Sequence, residues 1–104
     1  MTTIRLPSKH VLYGKDFGTK VRKLLNVDQL DKQTGSVCVL ISLSTLVISE
    51  CFFAGCFKDS IKSIGETQFR EKYKFFFECE YYNYLIDAGI SECNKEIEAE
   101  EGGK

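Results

Sequence analysis

The pattern of apolar positions along this chain is dominated by residues 36–57, SVCVLISLSTLVISECFFAGCF, where an unbroken apolar run passes through a Ser/Thr turn into a second apolar run. The first run, 37–43, has no polar alternation. A strand of that kind has both faces covered, so it predicts the centre of an α/β sheet with helices packed on it. Ser44 and Thr45 form the turn, and residues 46–48 extend the strand after a kink. Ser49 then suits a helix N-cap, with Glu50 in the first turn, where the helix dipole favours a negative charge. Phe53, Phe57, Ile61 and Ile64 repeat at helical spacing, and Phe52 and Cys56 widen the stripe. Lys58, Asp59 and Lys62 face away from it, and Gly65 supplies the stop. Leu40 of the strand and Phe57 of the helix are the expected centre of the core.

The flanking segments are weaker. Residues 2–6 read as a short strand ended by Pro7, and residues 11–13 continue it or pair with it, a hairpin being one arrangement. From Asp16 onward, DFGTKVRKLLNVDQLDK places Phe17, Val21, Leu24, Leu25 and Leu30 on one face of a helix, with Thr19 or Asp16 as cap. Gln33, Thr34 and Gly35 end it. Residues 72–78 form the next strand, rich in aromatics. Residues 80–88 form a last short helix with Tyr81, Tyr84 and Leu85 on one side, closed by Gly89. The segment 94–104 carries four Glu and two Lys around a single large apolar residue, Ile97, and is expected to be a mobile acidic tail. The organisation is thus one domain over 1–93, followed by that tail.

Composition narrows the function classes. At 104 residues, 43% hydrophobic and 28% charged, the chain is of ordinary globular make-up, with an expected radius of gyration of about 13 Å. Its net charge of −1 lacks the basic field that drives phosphate-backbone binding, which argues against nucleic acid. No run approaches the roughly 18 to 20 apolar residues of a membrane span, and no hydrophobic signal segment follows the first charges. A cytoplasmic protein with no membrane association is the expectation. Five cysteines, Cys38, Cys51, Cys56, Cys79 and Cys93, are odd in number and mostly set among apolar neighbours, as reduced thiols filling core space would be.

Candidate chemistry is sparse. The glycines and lysines of GKDFGTK, residues 14–20, do not have the spacing of a phosphate-binding loop, because Lys and Ser/Thr should follow the second glycine directly. His10 is the sole histidine and cannot supply a multi-histidine zinc site. Cys51 and Cys56 point about 140° apart on a helix, and no CxxC pair exists. Cys51 is the one thiol in a position to react, at a helix start that favours thiolate, although Glu50 beside it opposes that effect. No catalytic residue, metal ligand or cofactor site is assigned.

The Phe17-Gly18 start of the first helix, the Gly35-ended loop, the strand VCVLISL, the turn STLVIS and the aromatic-led helix from Phe52 together span residues 16–77. On these features the chain resembles the STAS-like family of unknown function, relatives of the sulfate-transporter and anti-sigma-factor-antagonist domain of bacterial signalling. The resemblance implies a small mixed β-sheet with helices packed on it, in β-α-β-α-β-α order. It implies a non-enzymatic, regulatory role in binding partner proteins, kinase-type ATPases among them. Family members place an Asp near the end of the central strand, a Ser at the next helix start and acidic residues in its first turn. Here Ser42, Cys51, Ala54 and Gly55 fall at those positions, with Ser49 two residues earlier. That implies loss of a phosphorylation switch and retention of a binding face at Ser44, Thr45, Ser49, Glu50 and Cys51. Two alternatives stand beside this reading: a phage- or mobile-element-encoded inhibitor of a host defence protein, and a small thiol enzyme or redox sensor using Cys51. A homodimer seamed by tyrosines such as Tyr81 and Tyr82 is a further expectation.

Overall fold

Strand β1 (Thr2–Arg5), β3 (Val37–Leu40) and β5 (Tyr73–Phe76) form a sheet in the order β1-β3-β5, and β2 (Val11–Leu12) pairs with β4 (Val47–Ile48) in a separate ladder. The computed structural model describes residues 2–77 and 83–102. The helices are α1 (Lys15–Leu24), α2 (Val27–Lys32), α3 (Glu50–Ile64), α4 (Glu66–Lys72) and α5 (Asn83–Gly102). The class is α/β. Every ladder among the described residues is parallel, where the resemblance implied a mixed sheet, and the element order holds more pieces than β-α-β-α-β-α. The hairpin of 2–6 with 11–13 does not form either, because the two segments enter different sheets.

Parallel neighbours need crossover connections, and these are almost always right-handed. With strands laid down in the order β1-β3-β5, each crossover steps in the same direction, so the helices collect on one face of the sheet. The burial follows. Ile4, Val37, Val39 and Tyr73 are buried on the helix side, whereas Arg5, Lys74 and Phe76 on the other side are exposed and Leu40 is only half-buried. Among the described residues the second face of this apolar strand is thus only partly covered, Cys38 being buried and Leu40 half-buried, and Leu40 is not at the centre of the core.

Helix α3 is that centre. Its Ser49 cap accepts a hydrogen bond from the Phe52 backbone N–H at 3.0 Å, and Gly65 ends it at φ 85°, a value that suits glycine, as its sequence led us to expect. Phe52, Phe53, Cys56, Phe57 and Ile61 are buried. The rings of Phe53, Phe57, Phe69, Tyr73 and Phe75 form one cluster with neighbouring centroids 4.9–6.3 Å apart. Phe69 enters it from α4, a helix that the sequence pattern did not disclose.

Glycines set how closely the neighbouring helices approach α3. A methyl group on Gly18 of α1 would lie 2.2 Å from the Phe52 carbonyl oxygen, and one on Gly55 would lie 2.2 Å from that of Lys15. The two backbones touch there. Gly89 of α5 sits over Phe53, where a methyl would lie 2.4 Å from the ring, so it is a packing residue in mid-helix and not a stop.

Two further expectations are corrected. The long helix from Asp16 breaks at Asn26, which adopts a left-handed conformation at φ 55°, and neither Asp16 nor Thr19 caps α1, whose N-cap is Gly14. Residues 94–102 are not a mobile tail. They continue α5, with Ile97 packed against the core and Glu96 and Glu100 paired to cations of α1 and α3 at 2.7–3.5 Å: Lys15–Glu96, Lys58–Glu96, Lys58–Glu100 and Lys62–Glu100. The charges that read as solvated face a basic groove between α1 and α3. The radius of gyration is 12.9 Å. Cys79, Tyr81, Tyr82 and the start of the last helix at Glu80 lie outside the described residues.

Candidate functional site

The segment 43–51 is stitched to the segment 9–14 by an unusual density of hydrogen bonds. The backbone N–H groups of Leu46 and Val47 both donate to the His10 carbonyl, at 2.7 and 3.2 Å, and that of Ser49 donates to Leu12 at 2.8 Å. His10 donates from Nδ1 to the Ser44 carbonyl at 3.0 Å, and Thr45 donates from its hydroxyl to the Lys9 carbonyl at 2.8 Å. Ser42 and Ser44 share a hydroxyl–hydroxyl bond of 2.9 Å.

Most of the polar residues expected to bind a partner are therefore committed to the scaffold. Thr45 is buried, Ser44 is half-buried and serves the turn, and Ser49 caps α3 while also accepting from the Gly14 N–H at 3.4 Å. Glu50 and Cys51 are exposed at the start of α3. What the stitched segments hold outward is apolar. Tyr13 is 73% exposed, Leu43 72% and Leu46 58%, and Val11 and Val47, directly opposite one another in the β2–β4 ladder, also face solvent. Their neighbours Leu12 and Ile48 point inward and are buried, the ordinary alternation of a half-covered ladder. Five of the eight exposed large hydrophobic residues among the described ones fall in these two short segments, as an interaction surface would have them. These residues were legible only as strand. The signal available was Leu46-Val47-Ile48 ahead of a cap, which cannot all face inward in a two-residue strand.

A second cluster escaped the sequence reading because it joins residues far apart in the chain. Arg22, only 5% exposed, donates to Asp28 at 2.6 and 3.0 Å, to Asp31 at 2.8 Å, and to the Cys56 carbonyl and the Ser60 hydroxyl at 2.8 Å each. Ser60 and Tyr73 donate in turn to Asp31. The break at Asn26 is what turns α2 so that both carboxylates reach the guanidinium. Burial pulls the Arg22 pKa down, but its hydrogen bonds to the Asp28 and Asp31 carboxylates outweigh it and the net shift is upward. Burial, aided by Asp31, raises the Tyr73 phenol well above its usual value. All the N–H groups of the Arg22 guanidinium have acceptors, and among the described residues no buried side-chain polar atom lacks a partner. The cluster bolts α1, α2, α3 and β5 together.

The thiols are distributed similarly. Cys38, Cys56 and Cys93 are buried, and burial pushes Cys56 and Cys93 up to about 12, so they stay protonated at neutral pH. Cys51 is the exposed thiol among the described residues. The glycines of residues 14–20 form no phosphate cradle, since Gly18 is buried in the α1–α3 crossing. Among the described residues no group of three or more His, Cys, Asp and Glu side chains could hold a metal ion, and no helix is long and apolar enough to cross a membrane. Comparison of the chain with protein-family models, with curated proteins and with solved structures returns no match.

Proposed function

We propose that this chain is a non-enzymatic protein-interaction module of the regulatory, STAS-like type, binding a partner protein through the turn between β3 and α3 and the β2–β4 ladder beside it. The observation that carries the reading is the set of exposed apolar residues, Val11, Tyr13, Leu43, Leu46 and Val47, on a backbone held by hydrogen bonds to residues 9–12. A preorganised surface loses little conformational entropy on binding, so buried apolar area there converts to affinity efficiently. Glu50 and Cys51 stand at its edge on the first turn of α3. The partner class that accords with the resemblance is a kinase-type ATPase.

The test uses a partner captured by crosslinking from the native cell. Leu46→Asp should weaken that complex at least about tenfold, the effect of losing about 1.4 kcal/mol at a contact, with an unchanged melting temperature because the side chain is already in water. Glu50→Lys should weaken it less, as a charge at the rim does. Full affinity in both variants, with the footprint on another surface, would reject this face.

A further inference from the structure

Among the described residues no helix is layered on one face of the three-stranded sheet, although parallel sheets are otherwise found covered on both sides. That face is laid out by the register. Thr3, Cys38 and Lys74 form one row across β1, β3 and β5, and Arg5, Leu40 and Phe76 form the next. Down its middle runs an apolar strip in which Cys38 is buried, Leu40 is half-buried and Phe76 is 52% exposed. Arg5 and Lys74 stand on opposite flanks of that strip and at opposite ends of it, and among the described residues these two rows carry no acidic side chain. Arg5 makes no ion pair with any described residue, and Lys74 reaches only the Arg70 carbonyl. At the C-terminal ends of the strands the face deepens into a groove of about 520 Å³ between Arg5, Leu40, Leu43 and Phe76.

Size decides what can cover it. Three strands roughly 4.8 Å apart and four residues of roughly 3.3 Å each present a footprint on the order of 200 Å². A stable dimer needs about 800 Å² from each partner, and a second copy would also bring Arg5 and Lys74 against their own like charges. An α-helix, about 10 Å across, fits the width of the strip. We propose that this face docks one amphipathic helix of a partner protein, with its apolar stripe over Cys38, Leu40 and Phe76 and acidic residues on both flanks that pair with Arg5 and Lys74. Such a helix would supply the layer that the strand order withholds. The surface is separate from the β2–β4 ladder and meets it only at Leu43, so either can fail without the other.

The proposal is tested on the full chain with a synthetic probe: a labelled amphipathic peptide of about four helical turns, with leucines at helical spacing and glutamates on both flanks, beside a control with lysine for every glutamate. By fluorescence anisotropy the acidic peptide should bind saturably below about 1 mM and at least about tenfold tighter than the control. Its NMR footprint should fall on Leu40 and Phe76. The double variant Arg5→Glu/Lys74→Glu should reverse the preference between the peptides, and Phe76→Glu should abolish binding of the acidic peptide. Leu46→Asp should leave it unchanged. Circular dichroism of each variant checks that the fold is retained, which the exposure of these side chains permits. Equal binding of the two peptides, no saturable binding, or a footprint on the β2–β4 ladder would overturn the proposal. A dimer in sedimentation that Phe76→Glu dissociates would overturn it as well, in favour of a second copy.

Discussion

The two faces of the three-stranded sheet are made by alternate residues of the same strands, yet they have opposite fates. Toward the helices, Ile4, Val39, Phe75 and Tyr73 meet the rings of α3 and α4, and the interior is dense with aromatic contacts. Away from them, Arg5, Lys74 and Phe76 are exposed and Leu40 is half-buried, and the one helix contact drawn from this side is the hydrogen bond of Lys74 to the Arg70 carbonyl at the edge of α4. Little in the composition of β3 distinguishes Val39 from Leu40. What separates them is the direction in which the chain crosses from strand to strand, a property of topology that local hydrophobicity does not encode.

The sharpest test of that contrast pairs one residue from each face. Phe57→Ala should cost about 3–5 kcal/mol in urea unfolding, because the ring is fully buried and the cluster around it cannot collapse. Leu40→Ala should cost about 1 kcal/mol, since only part of the side chain leaves water on folding. Equal losses would mean that the bare face is covered in solution.

The covered side also contains the polar bolt, and its removal should rival an aromatic truncation. Arg22→Met leaves the Asp31 carboxylate, whose side chain is 5% exposed, without its cation, at a cost of about 3–5 kcal/mol. The paired change Arg22→Met/Asp31→Leu should recover much of that loss, and a double-mutant cycle measures the coupling. Additive losses would show that the cluster is not one unit.

Backbone contact at the α1–α3 crossing predicts a smaller penalty. Gly55→Ala must push α1 away from α3, for about 1–3 kcal/mol, whereas Ala at the exposed Ser63 on the same helix should be close to neutral.

Removing residues 94–104 should lower the melting temperature by several degrees, about 1 kcal/mol, through loss of Ile97 packing and of the pairs made by Glu96 and Glu100. An unchanged melting temperature would return this segment to the status of a tail.

The smallest effect is electrostatic. Hydrogen bonds from Lys58 and Lys62 hold the Glu100 carboxyl down at about 2, below its ordinary 4.5. A carboxylate with a lowered folded-state pKa contributes stability above its unfolded value and loses it as pH falls toward the folded one. Protection against hydrogen exchange at the end of α5, taken relative to the intrinsic rate at each pH, should therefore fall between about pH 4.5 and 2, and added salt should weaken the dependence because the ion pairs lie at the surface. A flat profile would show that these pairs do not anchor the helix.

Where one residue's own chemistry decided the outcome, the sequence by itself was enough. Ser49 capping α3, the Phe53-Phe57-Ile61 stripe, the stop at Gly65 and the α/β class all follow from caps, glycine and periodicity, which act over a few residues. The turn at Ser44 and Thr45 was also legible, but its polar residues drew attention that belonged to Leu43, Leu46 and Val47. The Thr45 hydroxyl and the backbone of this segment are taken up by residues 9–12, a pairing that spans more than thirty positions, and the Ser44 and Ser49 hydroxyls by the turn and the helix cap. The same limit hid the Arg22 cluster, assembled from four elements, and turned the apparent stop at Gly89 into a packing site against Phe53. It also made a docked helix of the acidic segment, because Glu96 and Glu100 look solvated until Lys15, Lys58 and Lys62 are placed opposite them. Tertiary structure alone decided which face of β3 was covered, since that depends on the order and handedness with which distant strands are joined.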